Sequence, residues 1–212
     1  MSFSAELRRA ADPIWQAQHD HPFVRGIGDG TVDVERFKRW LRQDYRFLVE
    51  YCRVFALAAA RAPDLATLRK FAELLQATAV TEMDLHRSYA AGFGITDDEL
   101  ESEEMAPVTR AYTDFLVRCA ATGDFAELAA AVLPCMWGFN EIGVRLAERG
   151  RPADERCAAW IDAYAHPAFT ALAAWCRDLV DALAQEAGPG ARARMREAFV
   201  ASSRYELAFW DV

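Results

Sequence analysis

The stretch from Val34 to Ala62 constrains the fold of this chain more than any other. Its apolar residues Phe37, Trp40, Leu41, Phe47, Leu48, Tyr51 and Phe55 recur at helical steps and form one stripe. Asp33 stands where it can cap the start, and Pro63 ends the run. The remaining segments repeat the pattern. Phe3 to Gln18 alternates charged and apolar residues at helical spacing, and His21-Pro22 with Gly26, Gly28 and Gly30 then breaks it. Asp64 caps a helix running to about Ala91, closed by Gly92 and Gly94, and Thr96 with Glu99 forms a capping box for the next. Further helices are expected over Pro107–Ala121, Asp124–Glu148, Ala153–Ala165, Pro167–Ala187 and Ala191–Trp210, punctuated by Gly123 and by Gly188-Pro189-Gly190. No segment shows the two-residue alternation of a strand. The expected fold is an all-α bundle of seven or eight helices in a single domain, residues 1–212.

Composition excludes several classes of function. There is no run of eighteen apolar residues, so no membrane span is expected. The first residues carry charges where a signal peptide needs its apolar centre, so secretion is not expected. Five cysteines at irregular positions (Cys52, Cys119, Cys135, Cys157, Cys176) make neither a disulfide framework nor a zinc pattern, which points to reduced thiols in a cytoplasm. A net charge of −8 without any basic cluster argues against nucleic acid. Small molecules, or further copies of the chain, are the expected partners.

Chemistry is expected where polar groups interrupt apolar stripes. Asp44 falls in the middle of the Val34–Ala62 stripe, and Glu206 sits among Met195, Phe199, Ser202, Phe209 and Trp210 in the last helix. A carboxylate in such a place is costly to bury unless it pairs or meets a ligand. Arg42, Arg46 and Arg204 are near enough in sequence to be those partners. Tyr112 and Tyr164 also face inward, and either can simply bond a carbonyl. Cys135 follows Pro134 inside a helix and shares a face with Phe139, four residues on. It is a candidate nucleophile or an inert core thiol. Glu82 and His86 lie one turn apart, a spacing that can hold iron in helical bundles. A di-iron site needs about six protein ligands, and no other histidine has that spacing, so His86 reads as a structural residue bonding Glu82 or a backbone carbonyl.

Four segments carry a resemblance. They are His21-Pro22-Phe23-Val24, the run Gln43-Asp44-Tyr45-x-Phe47-Leu48-Val49-Glu50-Tyr51, Leu133-Pro134-Cys135-x-Trp137-Gly138, and Ser202-Ser203-Arg204-Tyr205-Glu206-x-x-Phe209-Trp210. In this order they resemble the TenA family, also called thiaminase II, over essentially the whole chain. The resemblance implies a haem-oxygenase-like fold without haem, a homotetramer, and hydrolysis at the methylene of a 4-amino-2-methylpyrimidine to give the hydroxymethyl compound for thiamin salvage. It implies that Cys135 is the nucleophile and Glu206 the proton-handling carboxylate. Asp44 would bond the aminopyrimidine edge, Tyr112 and Tyr164 would line the pocket, and Phe47 and Phe139 would stack on the ring. Many relatives carry tyrosine at the position of Phe139 and some at Phe47, which removes a phenol here but keeps stacking area. No metal or organic cofactor is implied. A pyrimidine-binding regulatory protein and a same-fold oxidase are the alternatives.

Overall fold

The computed structural model describes residues 1–212. It contains twelve α-helices and one π-helical turn and no strand. The helices are α1 (Phe3–Ala10), α2 (Asp12–His19), α3 (Pro22–Asp29), α4 (Val34–Arg61), α5 (Leu65–Gln76), α6 (Met83–Gly92), α7 (Asp97–Ser102), α8 (Pro107–Thr122), α9 (Phe125–Arg149), α10 (Glu155–Tyr164), α11 (Pro167–Glu186) and α12 (Pro189–Phe209). The π turn, Ala77–Glu82, joins α5 to α6. The all-α expectation holds, with more helices than seven or eight.

The additional helices have local causes. The single helix expected from Phe3 to Gln18 is divided at Ala11, because Pro13 starts α2 afresh. The expected break after His21 is instead a helix, α3. Its proline takes the first turn, where its missing N–H costs nothing, and Nδ1 of His21 accepts from the Phe23 amide. Gly26 and Gly28 do not break α3. They allow close approach: a Cβ on Gly26 would lie 3.0 Å from Val32 Cα, and one on Gly28 would lie 2.7 Å from a Leu146 methyl. Only Gly30, with φ of 69°, ends the helix by its left-handed conformation. The expected Asp64–Ala91 helix is interrupted by the π turn. The caps expected at Asp64 and Thr96 are formed, the second as a full capping box.

The chain forms two compact units, Met1–Asp33 with Ala126–Asp211, and Val34–Phe125. In the first unit, α9 is tied to α1 and α2 through Glu141. Its carboxylate accepts from Arg8 at 2.9 Å and meets Nε2 of His19 at 2.9 Å. Trp15 of α2 donates to Ser203 Oγ at 2.9 Å, and Trp210 donates to Gln18 at 3.2 Å, so two indoles lock α12 on α2. In the second unit, α4 packs against α5 and α8. Gln43 is buried on α4. Its amide donates to the Glu104 carbonyl at 2.9 Å and accepts from the Ala106 amide and Thr109 hydroxyl, both at 2.8 Å. That one side chain fixes the start of α8. At the other end of α8, the Arg61 guanidinium donates to the carbonyls of Ala120 and Gly123 and so caps the helix.

Candidate functional site

The second unit holds Asp44, Phe47 and Tyr112. All three are buried, as the helical stripe required. Asp44 sits one turn before Phe47 on the inward side of α4. Tyr112 follows Thr109 by one turn of α8, so the Gln43 bonds that hold Thr109 also set the depth of Tyr112. The rings of Phe47 and Tyr112 lie 5.0 Å apart, and Phe47 and Tyr51 stack at 5.2 Å. These contacts make a continuous aromatic cluster on α4 and α8, its rings tilted by 28–32° to one another.

Asp44 does not pair with an arginine. Arg42 turns to Glu99 and Glu103, and Arg46 donates to the Glu101 carbonyl. The partner is His86 of α6, whose Nε2 lies 2.7 Å from Asp44 Oδ2. Nδ1 of the same ring lies 2.9 Å from the backbone carbonyl of Glu82, the last residue of the π turn. The expectation that His86 bonds Glu82 or a backbone carbonyl is therefore met at the Glu82 carbonyl, whereas the bond to Asp44 was not foreseen. A signal for it existed: Met83, His86 and Ala90 form the buried face of α6, so a histidine points inward there. Burial works against a charge on His86, but the hydrogen bond and charge of Asp44, with those of Glu82, raise its pKa above the usual value.

The first unit holds Cys135, Phe139, Tyr164 and Glu206. Helix α9 runs unbroken from Phe125 to Arg149 with Pro134 inside it, and Cys135 follows the proline. Cys135 is half-buried, whereas Cys119, Cys157 and Cys176 are buried. Cys52 is also half-buried, but burial and the nearby Glu82 charge push its thiol up to about 11. Burial likewise pushes the Cys157 thiol up to about 11, aided by Asp154.

Phe139, one turn after Cys135, lies in an aromatic cluster. Its ring is 5.0 Å from Tyr164, 5.2 Å from Trp210 and 6.0 Å from Trp160. Two further α9 residues set Tyr164, which ends α10. Asn140 donates to the Tyr164 carbonyl at 3.0 Å and to Thr170 Oγ1 at 2.8 Å. Gly143 lets the two backbones meet, since a Cβ there would lie 2.7 Å from the Tyr164 carbonyl carbon. Sequence reading singled out neither for this role. Glu206 is 2% exposed on α12, one turn beyond Ser203, which Trp15 holds. The inward reading of its helix face is correct.

Known proteins resemble this chain along its whole length. The TENA/THI-4/PQQC family model matches residues 8–212. An aminopyrimidine aminohydrolase from Halalkalibacterium halodurans is 42% identical, covering 100% of this chain and 95% of the relative. The structure of a TenA homologue from P. horikoshii OT3 superposes with a TM-score of 0.91 at 27% identity, covering 100% of this chain and 97% of the other. A Shewanella denitrificans domain of unknown function with a heme oxygenase-like fold matches at a TM-score of 0.73 and 14% identity, covering 98% of this chain and 90% of the other. The chain belongs to the TENA/THI-4/PQQC family and has the haem-oxygenase-like all-α fold.

Proposed function

We propose that the protein is an aminopyrimidine aminohydrolase of the thiaminase II type, acting in thiamin salvage as a single functional domain over residues 1–212. The observation that carries this reading is the 42% identity, over the full chain, to a relative of that name. The side chains supply what the chemistry needs. A 4-amino-2-methylpyrimidine becomes electrophilic at its unsubstituted ring carbon when a ring nitrogen is protonated. Cys135 adds there as thiolate, the ring electrons expel the group on the exocyclic methylene, water adds to that methylene, and the thiol departs. Glu206 moves the protons. Asp44 holds the amino edge of the ring, and Phe47, Phe139, Tyr112 and Tyr164 provide aromatic surface and phenol hydrogen bonds.

The thiols support the assignment of Cys135. Cys119, Cys157 and Cys176 are buried, and Cys52 is held protonated well above neutral pH. No metal or organic cofactor takes part. His86 spends one ring nitrogen on a carbonyl and the other on Asp44, so the Glu82/His86 pair is not available as a metal ligand set. We place the protein in the cytoplasm as a homotetramer. The experiment is incubation of the pure protein with thiamin and with 4-amino-5-aminomethyl-2-methylpyrimidine, following the hydroxymethyl product. Product from at least one substrate is expected, at a rate unchanged by a strong chelator. No product from either, or a rate lost to chelator and restored by iron, overturns the reading.

A further inference from the structure

We propose that His86 is the positioning residue for Asp44: a proton shared by this pair holds the buried carboxylate in place, and its loss sets the alkaline limit of activity. The proposal deepens the aminohydrolase reading and rests on it for the role of Asp44, but not for the state of the pair.

The argument starts from donors and acceptors. The Glu82 carbonyl can only accept, so Nδ1 of His86 at 2.9 Å carries a hydrogen. A neutral imidazole has one N–H, so Nε2 would then turn a lone pair toward Asp44 Oδ2, 2.7 Å away. An ionised carboxylate can also only accept. Two acceptors at that distance repel, so the pair holds one more proton than neutral histidine and aspartate carry together. With that proton on Nε2 the couple is imidazolium and carboxylate, neutral as a whole, which suits a buried position where a lone charge is costly. His86 is 3% exposed and Asp44 4%.

The elements packed against α6 are α4 and the π turn. The charged groups they turn toward His86 are Asp44 and Glu82, and both favour its protonated form against the opposing effect of burial. Both therefore act together with the two facing acceptors to keep the proton on the pair. Once it leaves, Asp44 loses the donor on Oδ2 and faces a lone pair, so the carboxylate no longer keeps its aim. His86 takes Oδ2 and leaves Oδ1 to meet a ligand's donor. It acts through Asp44, and its part in the reaction is orientation.

The test compares pH–rate profiles of the wild type, His86→Gln and His86→Leu. A glutamine amide can reach Oδ2 and donates at every pH, so it restores the bond without the titration. His86→Leu, which removes the bond, should lower kcat/KM at pH 7 by about tenfold to a hundredfold, the worth of one hydrogen bond to a charged group, and His86→Gln, which keeps it, by less than His86→Leu. The alkaline limb of His86→Gln should move up by a pH unit or more. A limb that coincides with that of the wild type overturns the proposal. A second readout needs no turnover. In nitrogen-15 spectra of histidine-labelled unliganded protein, one imidazole should keep both ring nitrogens protonated at pH 8 and lose that signature in Asp44→Asn. Its absence from the wild type overturns the proposal whatever the enzyme does. The signature in a protein that turns over no aminopyrimidine upholds the pair and removes the aminohydrolase reading.

Discussion

Individual side chains were legible where helical spacing alone decides which way they face. Asp44, Tyr112, Tyr164 and Glu206 are all buried on the faces that the apolar stripes indicated. Periodicity does not say what lies opposite. Asp44 and His86 are 42 residues apart on different helices, so their pairing was invisible to spacing. Gly138 and Gly143, both in α9, show the same limit, since they look alike in sequence and differ in surroundings. A Cβ on Gly143 would meet Tyr164 backbone and Cβ at 2.7–2.8 Å, and backbone cannot swing aside. At Gly138 it would meet only the end of the Trp15 ring at 3.9 Å, ordinary contact. Gly143→Ala should therefore destabilise by about 1–3 kcal/mol through overpacking. Gly138→Ala should be neutral or stabilise by up to about 1 kcal/mol, because alanine suits a helix interior better. Urea unfolding of both variants checks this, and equal shifts would contradict the close approach at Gly143.

At the scale of elements, caps and proline positions were readable, and short helices were not. His21-Pro22 looks like a break because proline cannot sit in a helix interior, yet the same pair starts α3 with the histidine as cap. His166-Pro167 starts α11 in the same way, with Nδ1 accepting from the Ala168 amide. The π turn had no local signal, since Gln76 to Met83 reads as ordinary helix. The docking of α9 on α1 and α2 gives an acid-sensitive joint. Burial opposes the charge on Glu141, but the hydrogen bonds from His19 and Arg8 and the Arg8 charge outweigh it and hold its carboxyl at about 2. A depressed folded-state value means that the stabilisation is fully present above the ordinary 4.5 and fades as pH falls toward 2. The thermal midpoint of the wild type should fall through that window. Glu141→Gln should lower the midpoint at pH 7 and flatten the decline. A parallel decline in both proteins would show that Glu141 is not the group responsible.

At the scale of the whole molecule, the all-α expectation is met and most of the tryptophans are buried within the single chain. The sequence has six tryptophans. Four of them, Trp15, Trp40, Trp160 and Trp210, are 2% exposed or less within the single chain. Besides Met1 and Val34, the large apolar residues left exposed are Leu65, Leu68, Val80 and Leu85, on α5, the π turn and α6. A tetramer is the proposed state, and light scattering should return four times the 23.7 kDa of one chain. A stable monomer would withdraw that proposal and leave the chemistry untouched. The proposed chemistry depends most on one thiol. Its most direct measurement is kcat for Cys135→Ser beside Cys52→Ala, with binding of the hydroxymethylpyrimidine product followed by calorimetry. Cys135→Ser should bind the pyrimidine within about threefold of the wild type while its turnover falls by at least about a thousandfold, because a serine hydroxyl is a far weaker nucleophile than a thiolate. Cys52→Ala should keep its rate. Turnover by Cys135→Ser near the wild-type level would contradict covalent catalysis at this cysteine.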